Sequence, residues 1–267
     1  MKQYFSFFKM SMSKGLQYRI AALAGVATQF FFGFTFIMIF EAFYRSSNTP
    51  QPISIEQLIQ FVWLQQSFLL FVMLWFRDME IFDKITTGNI AYELCRPTDI
   101  YSYWYARLLA QRLSGALLRC FPILIITAFL PAPYGLSFPP TIVHFILFII
   151  TLTLGLIIIV AISMLIYISV FYTLSPTGSL LIVSVLGEFL SGLIIPVPLM
   201  PPMLKKIVYF FPFRYTSDLP FRIYVGNIDI NEATISIFIQ LAWIFILIMF
   251  GKWWIKRALK KVVVQGG

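Results

Sequence analysis

The sequence predicts an all-α integral membrane protein with six transmembrane helices, and three observations carry that prediction. The 267 residues are 60% hydrophobic and only 12% charged, and Phe alone occurs 29 times. A soluble domain carries about twice that charge. One aqueous core cannot hide so much apolar surface, so the solvent of this chain is lipid. Six stretches, about 20–44, 57–76, 113–131, 142–172, 179–196 and 234–251, approach the roughly 20 apolar residues that a span needs. The charges fall between those stretches, most densely in one polar island, Arg77 to Arg112.

Taken in order, residues 1–19 read as an interfacial helix. Tyr4, Phe5, Phe8 and Met12 recur at helical spacing, with Lys2, Lys9 and Lys14 among them. Such a segment lies in the membrane surface; the competing reading is a merely basic start to the first span. The segment has no apolar h-region or small-residue cleavage site, so it is not a signal peptide. The fourth span is the clearest, because Ile142 to Leu174 holds no Asp, Glu, Lys or Arg. At helical rise it is longer than the hydrocarbon layer and must tilt or project. The fifth is the weakest: it carries Glu188 and ends in the run Ile-Ile-Pro-Val-Pro-Leu-Met-Pro-Pro. Residues 197–233 are rich in Pro and aromatics, and Pro212 and Pro220 forbid a continuous helix. They predict short helices lying at, or dipping back into, the outer leaflet.

Orientation follows from Lys and Arg. With the N-terminus inside, 15 of the 20 fall in cytoplasmic segments and five outside. Both termini are therefore expected in the cytoplasm, with Trp253 and Trp254 as an inner-leaflet anchor. A net charge of +9 does not point to nucleic acid, because the basic residues sit between apolar runs rather than on a soluble face. Cys95 and Cys120 lack metal-ligand spacing and read as reduced thiols.

Chemistry of its own is not visible. The phosphate loop G-x-x-x-x-G-K-[S/T] does not occur; the lone pair Gly251-Lys252 is followed by Trp253. His144 is the only histidine, which excludes metal sites built on several, and it reads as an interface residue. No H-E-x-x-H or G-x-S-x-G is present. The chain predicts no catalytic residue, no metal site and no bound cofactor.

The island holds Asp78, Glu80, Asp83 and Lys84 on one short helix face. Gly88-Asn89-Ile90-Ala91-Tyr92-Glu93-Leu94-Cys95-Arg96-Pro97 follows, and farther on come Phe211-Pro212-Phe213-Arg214-Tyr215, Leu219-Pro220 and Tyr224-Val225-Gly226. Gly88 permits a turn that most residues resist, and Pro97 stops the helix. Together with the span order, these residues resemble the permease subunits of ABC-2 type ATP-binding-cassette exporters, most closely the branch grouped as uncharacterised ABC-type transport system permeases. The resemblance covers nearly the whole chain, as a single ABC-2 type transmembrane domain over 1–267. It implies a bacterial cytoplasmic (inner) membrane protein that exports a substrate. It implies two ATPase subunits that bind ATP and Mg, and a second permease, identical or homologous. It also implies a coupling helix in the loop 77–112 that docks on the ATPase. Tyr92 and Leu94 would supply apolar contact there, and Glu93 and Arg96 polar contact. A different function class, an ion-coupled secondary transporter or channel subunit, is the alternative; only one broken helix and few intramembrane acids disfavour it.

Polar residues at membrane depth mark cavities or helix contacts. Gln29, Gln65, Gln66 and Glu188 are candidates for a substrate cavity. The glutamines read more readily as interhelical hydrogen bonds, and Glu188 as a structural partner. Arg112 and Arg119 read as snorkelling to the inner headgroups. Gly25, Gly33, Gly187 and Gly192 would allow close helix approach, and the resemblance puts the permease–permease contact on spans one and five.

Overall fold

The computed structural model describes residues 2–260 except 16, 18 and 48, and it contains helices and no strand among them. Four helices are long and apolar enough to cross a membrane, rather than the six expected. They are α2 (Arg19–Ser46), α7 (Ile100–Ala128), α8 (Ile142–Thr173) and α12 (Ile230–Leu259). The other two expected spans exist as shorter pieces. One is α3 (Ile55–Ser67) followed by α4 (Leu69–Val72), broken at Phe68. The other is α9 (Pro176–Leu190), about 22 Å long at helical rise.

Helix ends follow their capping residues. Ser54 and Gln57 form a reciprocal capping box that starts α3. Asp99 accepts from the Ser102 amide at 2.9 Å and starts α7. This cap corrects the sequence reading: residues 100–112 belong to the first turns of α7, so the polar loop is shorter than 77–112. Thr141 caps α8 at the His144 amide, and its hydroxyl lies 2.8 Å from the imidazole Nδ1. At its other end α8 turns through Leu174 in the left-handed region, φ 52°, and Pro176 begins α9.

The bundle is built around α8, which packs against α12, α11, α9, α7 and α5. The stretch expected as short helices at, or dipping back into, the outer leaflet is folded into the bundle as short helices. It forms α10 (Pro202–Phe210), a 3-10 turn (Pro212–Thr216) and α11 (Asp218–Tyr224). Arg214, Thr216, Ser217 and Asp218 are all buried there. Buried backbone needs partners, and the chain supplies them. Gln240 of α12 donates to the carbonyls of Thr151 and Tyr215 at 2.9 and 2.8 Å. The Ser191 carbonyl accepts from the Ser217 hydroxyl and the Asp218 amide. A Cβ at Gly155 would stand 2.9 Å from the Tyr215 carbonyl oxygen, so only glycine lets the 3-10 turn approach α8 this closely.

The short helix α1 (Lys2–Gly15) packs along α7, and Phe8 faces Tyr101 and Tyr105 across a small pocket. The side chains of Tyr4 and Phe5 lie outside the described residues. The expected glycine contacts are filled from within the chain. Gly25 meets Arg119, Gly33 meets Trp63, and Gly187 meets Leu74 and Phe213. Gly192 is a turn residue with φ +80° and not a helix-packing position.

Candidate functional site

The break at Phe68 leaves α4 ending inside the packed bundle, where a helix end exposes bare carbonyls. Arg112 answers this. Its guanidinium donates to the carbonyls of Met73 at 2.8 Å and Leu70 at 3.1 Å, with longer bonds to those of Phe71 and Phe76. It also reaches the Ser163 hydroxyl of α8 at 3.1 Å. Arg112 is fully buried. It does not snorkel; the planar fork of the guanidinium is spent on a helix end.

Below that point the chain turns into α5 (Met79–Thr86), capped by Asp78. The apolar side chains Ile81, Phe82 and Ile85 are buried, and the Phe82 ring sits 4.4 Å from that of Tyr167 on α8. The cap Asp78 and the first-turn Glu80 share one base. Arg107 binds Asp78 through Nε at 2.5 Å and through a second nitrogen at 3.0 Å, and it also reaches Glu80. Gln111 donates to Asp78 at 2.6 Å, and the Tyr167 hydroxyl accepts from the Asp78 amide. Hydrogen bonds from Arg107 and Lys84 hold the Glu80 carboxyl down at about 2. A depressed carboxylate pKa stabilises the fold above its ordinary value and loses that effect only as pH falls through the folded value. This tie therefore persists at every physiological pH. Partial burial opposes the charge on Lys84, but Glu80 and Glu93 outweigh it and raise its pKa.

The Gly88–Pro97 segment stands on this base. Gly88 has φ +76° with open space around it, so conformation rather than crowding demands glycine. The chain then makes the single turn α6 (Ala91–Leu94) and ends it before Pro97. Tyr92 is 76% exposed and Leu94 42%. Arg96 and Pro97 are exposed as well. Glu93 corrects the sequence reading. It is not an outward polar contact but is buried, accepting from Lys84 at 2.6 Å and from the Trp104 indole at 2.7 Å. The result is a small platform with apolar knobs outside and ionic ties behind.

The four candidate cavity residues have separate surroundings. Gln65 donates to the Leu193 carbonyl at 2.7 Å. Glu188 accepts from the Trp75 indole at 3.1 Å. Gln66 is buried on α3, and Gln29 is buried on α2 with neither amide atom partnered. None of the four lines the apolar groove of about 490 Å3 between α8, α9 and α12, nor the polar pocket of about 440 Å3 beside α7. Glu188 thus ties α9 to the segment after α4. Glu188→Gln keeps an acceptor and is expected to leave thermal unfolding in detergent unchanged. Glu188→Leu strands the indole N–H and is expected to cost about 1–3 kcal/mol. Equal losses in both variants would show that the charge, and not the acceptor, holds Trp75.

Sequence reasoning missed Arg107, Trp104 and Gln240. Gln240 carried a usable signal, a lone amide inside an apolar run. Arg107 and Trp104 carried none, because their acceptors lie on another element.

No curated protein matches the chain. Residues 26–266 match the family described as ABC-2 family transporter protein, which takes in all four long helices almost entirely as well as the platform. The chain therefore belongs to the ABC-2 transporter family, as a multi-pass membrane subunit of permease type.

Proposed function

We propose that this chain is the permease subunit of an ATP-binding-cassette exporter, moving a substrate out of the cytoplasm with ATP hydrolysed by a separate subunit. The platform is the observation that carries this reading. Tyr92 and Leu94 offer an apolar face with Arg96 and Pro97 beside it, while Glu93, Lys84 and Trp104 bind the same turn to α5 and α7. An apolar contact set in a polar rim suits protein docking, and a rigid mount suits transmission of force.

Two ATPase copies carrying ATP and Mg, and a second permease, complete the complex. The exposed apolar faces of α2 (Phe31, Met38) and α9 (Ile182, Leu186) suit that second permease or lipid. We assign six crossings, counting α3–α4 and α9 as the two short ones, in a single domain over 1–267. Both termini lie in the cytoplasm of a bacterial cell, at its inner membrane. Phe8, Tyr101 and Lys252 line one pocket, so α1, the start of α7 and the end of α12 share one end of the bundle. Asn227 and Gln57 bond across the opposite end, to the Pro52 and Val225 carbonyls.

Affinity purification of the tagged chain in mild detergent, with mass spectrometry and an ATPase assay, tests the reading. A stoichiometric ATPase is the expected companion. Purification without one would turn attention to ion-coupled transport.

A further inference from the structure

A pocket of about 440 Å3 opens between α2, the 76–79 segment and α7, within the roughly 300–1,000 Å3 of small-molecule sites. One part of its wall is apolar, with Leu70 and Leu118; the other carries Arg77, Arg119, Asp78 and Gln111. Asp78 is already engaged by Arg107 and Gln111. Arg77 and Arg119 have no acidic partner among the described residues, so the lining carries unbalanced positive charge. The pocket lies where the charged base of α7 gives way to its apolar length, which the proposed membrane placement sets at the boundary of headgroup and hydrocarbon.

We infer that this pocket binds the headgroup region of an anionic glycerophospholipid, for which phosphatidylglycerol is the probe. The phosphate takes Arg77 and Arg119, because guanidinium groups hold phosphate oxygens in pairs. The glycerol ester region covers Leu70 and Leu118. Soluble phosphate satisfies the arginines alone and leaves the apolar wall bare. The inference rests on membrane placement and is independent of ATP-driven export, so it is tested on this chain without an ATPase.

The test is native mass spectrometry of the detergent-purified chain titrated with phosphatidylglycerol or phosphatidylcholine, followed by competition with glycerol phosphate. Phosphatidylglycerol is expected to be retained at least tenfold better than phosphatidylcholine. Arg77→Gln and Arg119→Gln are each expected to weaken retention about fivefold, and together about 30-fold. Leu118→Trp fills the apolar wall without touching charge and is expected to expel the lipid as well. Glycerol phosphate in excess is expected to displace nothing. Equal retention of the two lipids overturns the inference, as does unchanged retention in either the double-arginine or the Leu118→Trp variant. Displacement by glycerol phosphate would assign the site to a soluble phosphate and overturn the lipid claim.

Discussion

Replacing Arg112 by methionine is expected to leave little folded protein. Methionine fits the space but donates nothing. The two closest carbonyls, of Met73 and Leu70, would be left bare in the packed interior. Each unsatisfied group costs about 1–3 kcal/mol, so these two alone cost about 2–6 kcal/mol. A whole domain has about 5–15 kcal/mol of net stability. Arg112→Lys is expected to fall between, since one ammonium cannot reproduce a planar fork that reaches α4 and Ser163 together. Folded yield by size-exclusion chromatography and thermal unfolding in detergent measure both variants. If the methionine variant unfolds at the native temperature, another donor or water serves those carbonyls and the capping account fails.

Changing Leu94 to Asp is expected to uncouple transport while sparing the fold. Leu94 is partly exposed, and exposed substitutions usually stay within about 0.5 kcal/mol. A charge placed on a docking knob costs the complex about 2 kcal/mol or more, a loss of roughly thirtyfold in ATPase affinity. Tyr92→Asp is expected to behave alike. Glu93→Ala should differ in kind, because it strands the Trp104 indole and leaves Lys84 with Glu80 alone, and so lowers stability and coupling together. Gly88→Pro is expected to uncouple as well, since proline cannot adopt φ +76°. ATPase stimulation, export and thermal unfolding, measured side by side, separate these cases. Full stimulation and export in both the Leu94→Asp and Gly88→Pro variants would remove the platform from the docking site.

Much of this architecture was legible in the sequence because apolar length speaks for itself. The fourth span was expected at 142–172 and the helix runs Ile142–Thr173; α2 and α12 were found the same way. The turn at Gly88 and the exposure of Tyr92 and Leu94 also follow from local residue types. The break at Phe68 does not, because residues 57–76 contain neither Gly nor Pro to announce it. The cause lies 44 residues later, in an arginine that stabilises the broken form. Glu93 was misread for a related reason. Within its own segment it looks like any exposed acid, and only Trp104 arriving on α7 buries it. The inward course of residues 212–224 depends likewise on Gly155 and Gln240, which belong to other helices.

The placement of Arg112 along α7 has a mechanical meaning. That residue clamps α7 to α4 and α8 at one height, with about 18 Å of helix below it and about 24 Å above. The lower arm carries Trp104 and Arg107 and, through them, the platform. The upper arm contains Pro122, where one backbone bond is missing and bending is easier. A rod pinned near its middle returns at one end roughly the displacement imposed at the other, in the opposite direction. In the proposed exporter, a sideways push on the platform enters α7 through these ties, and Pro122 sets how much of it is absorbed on the way.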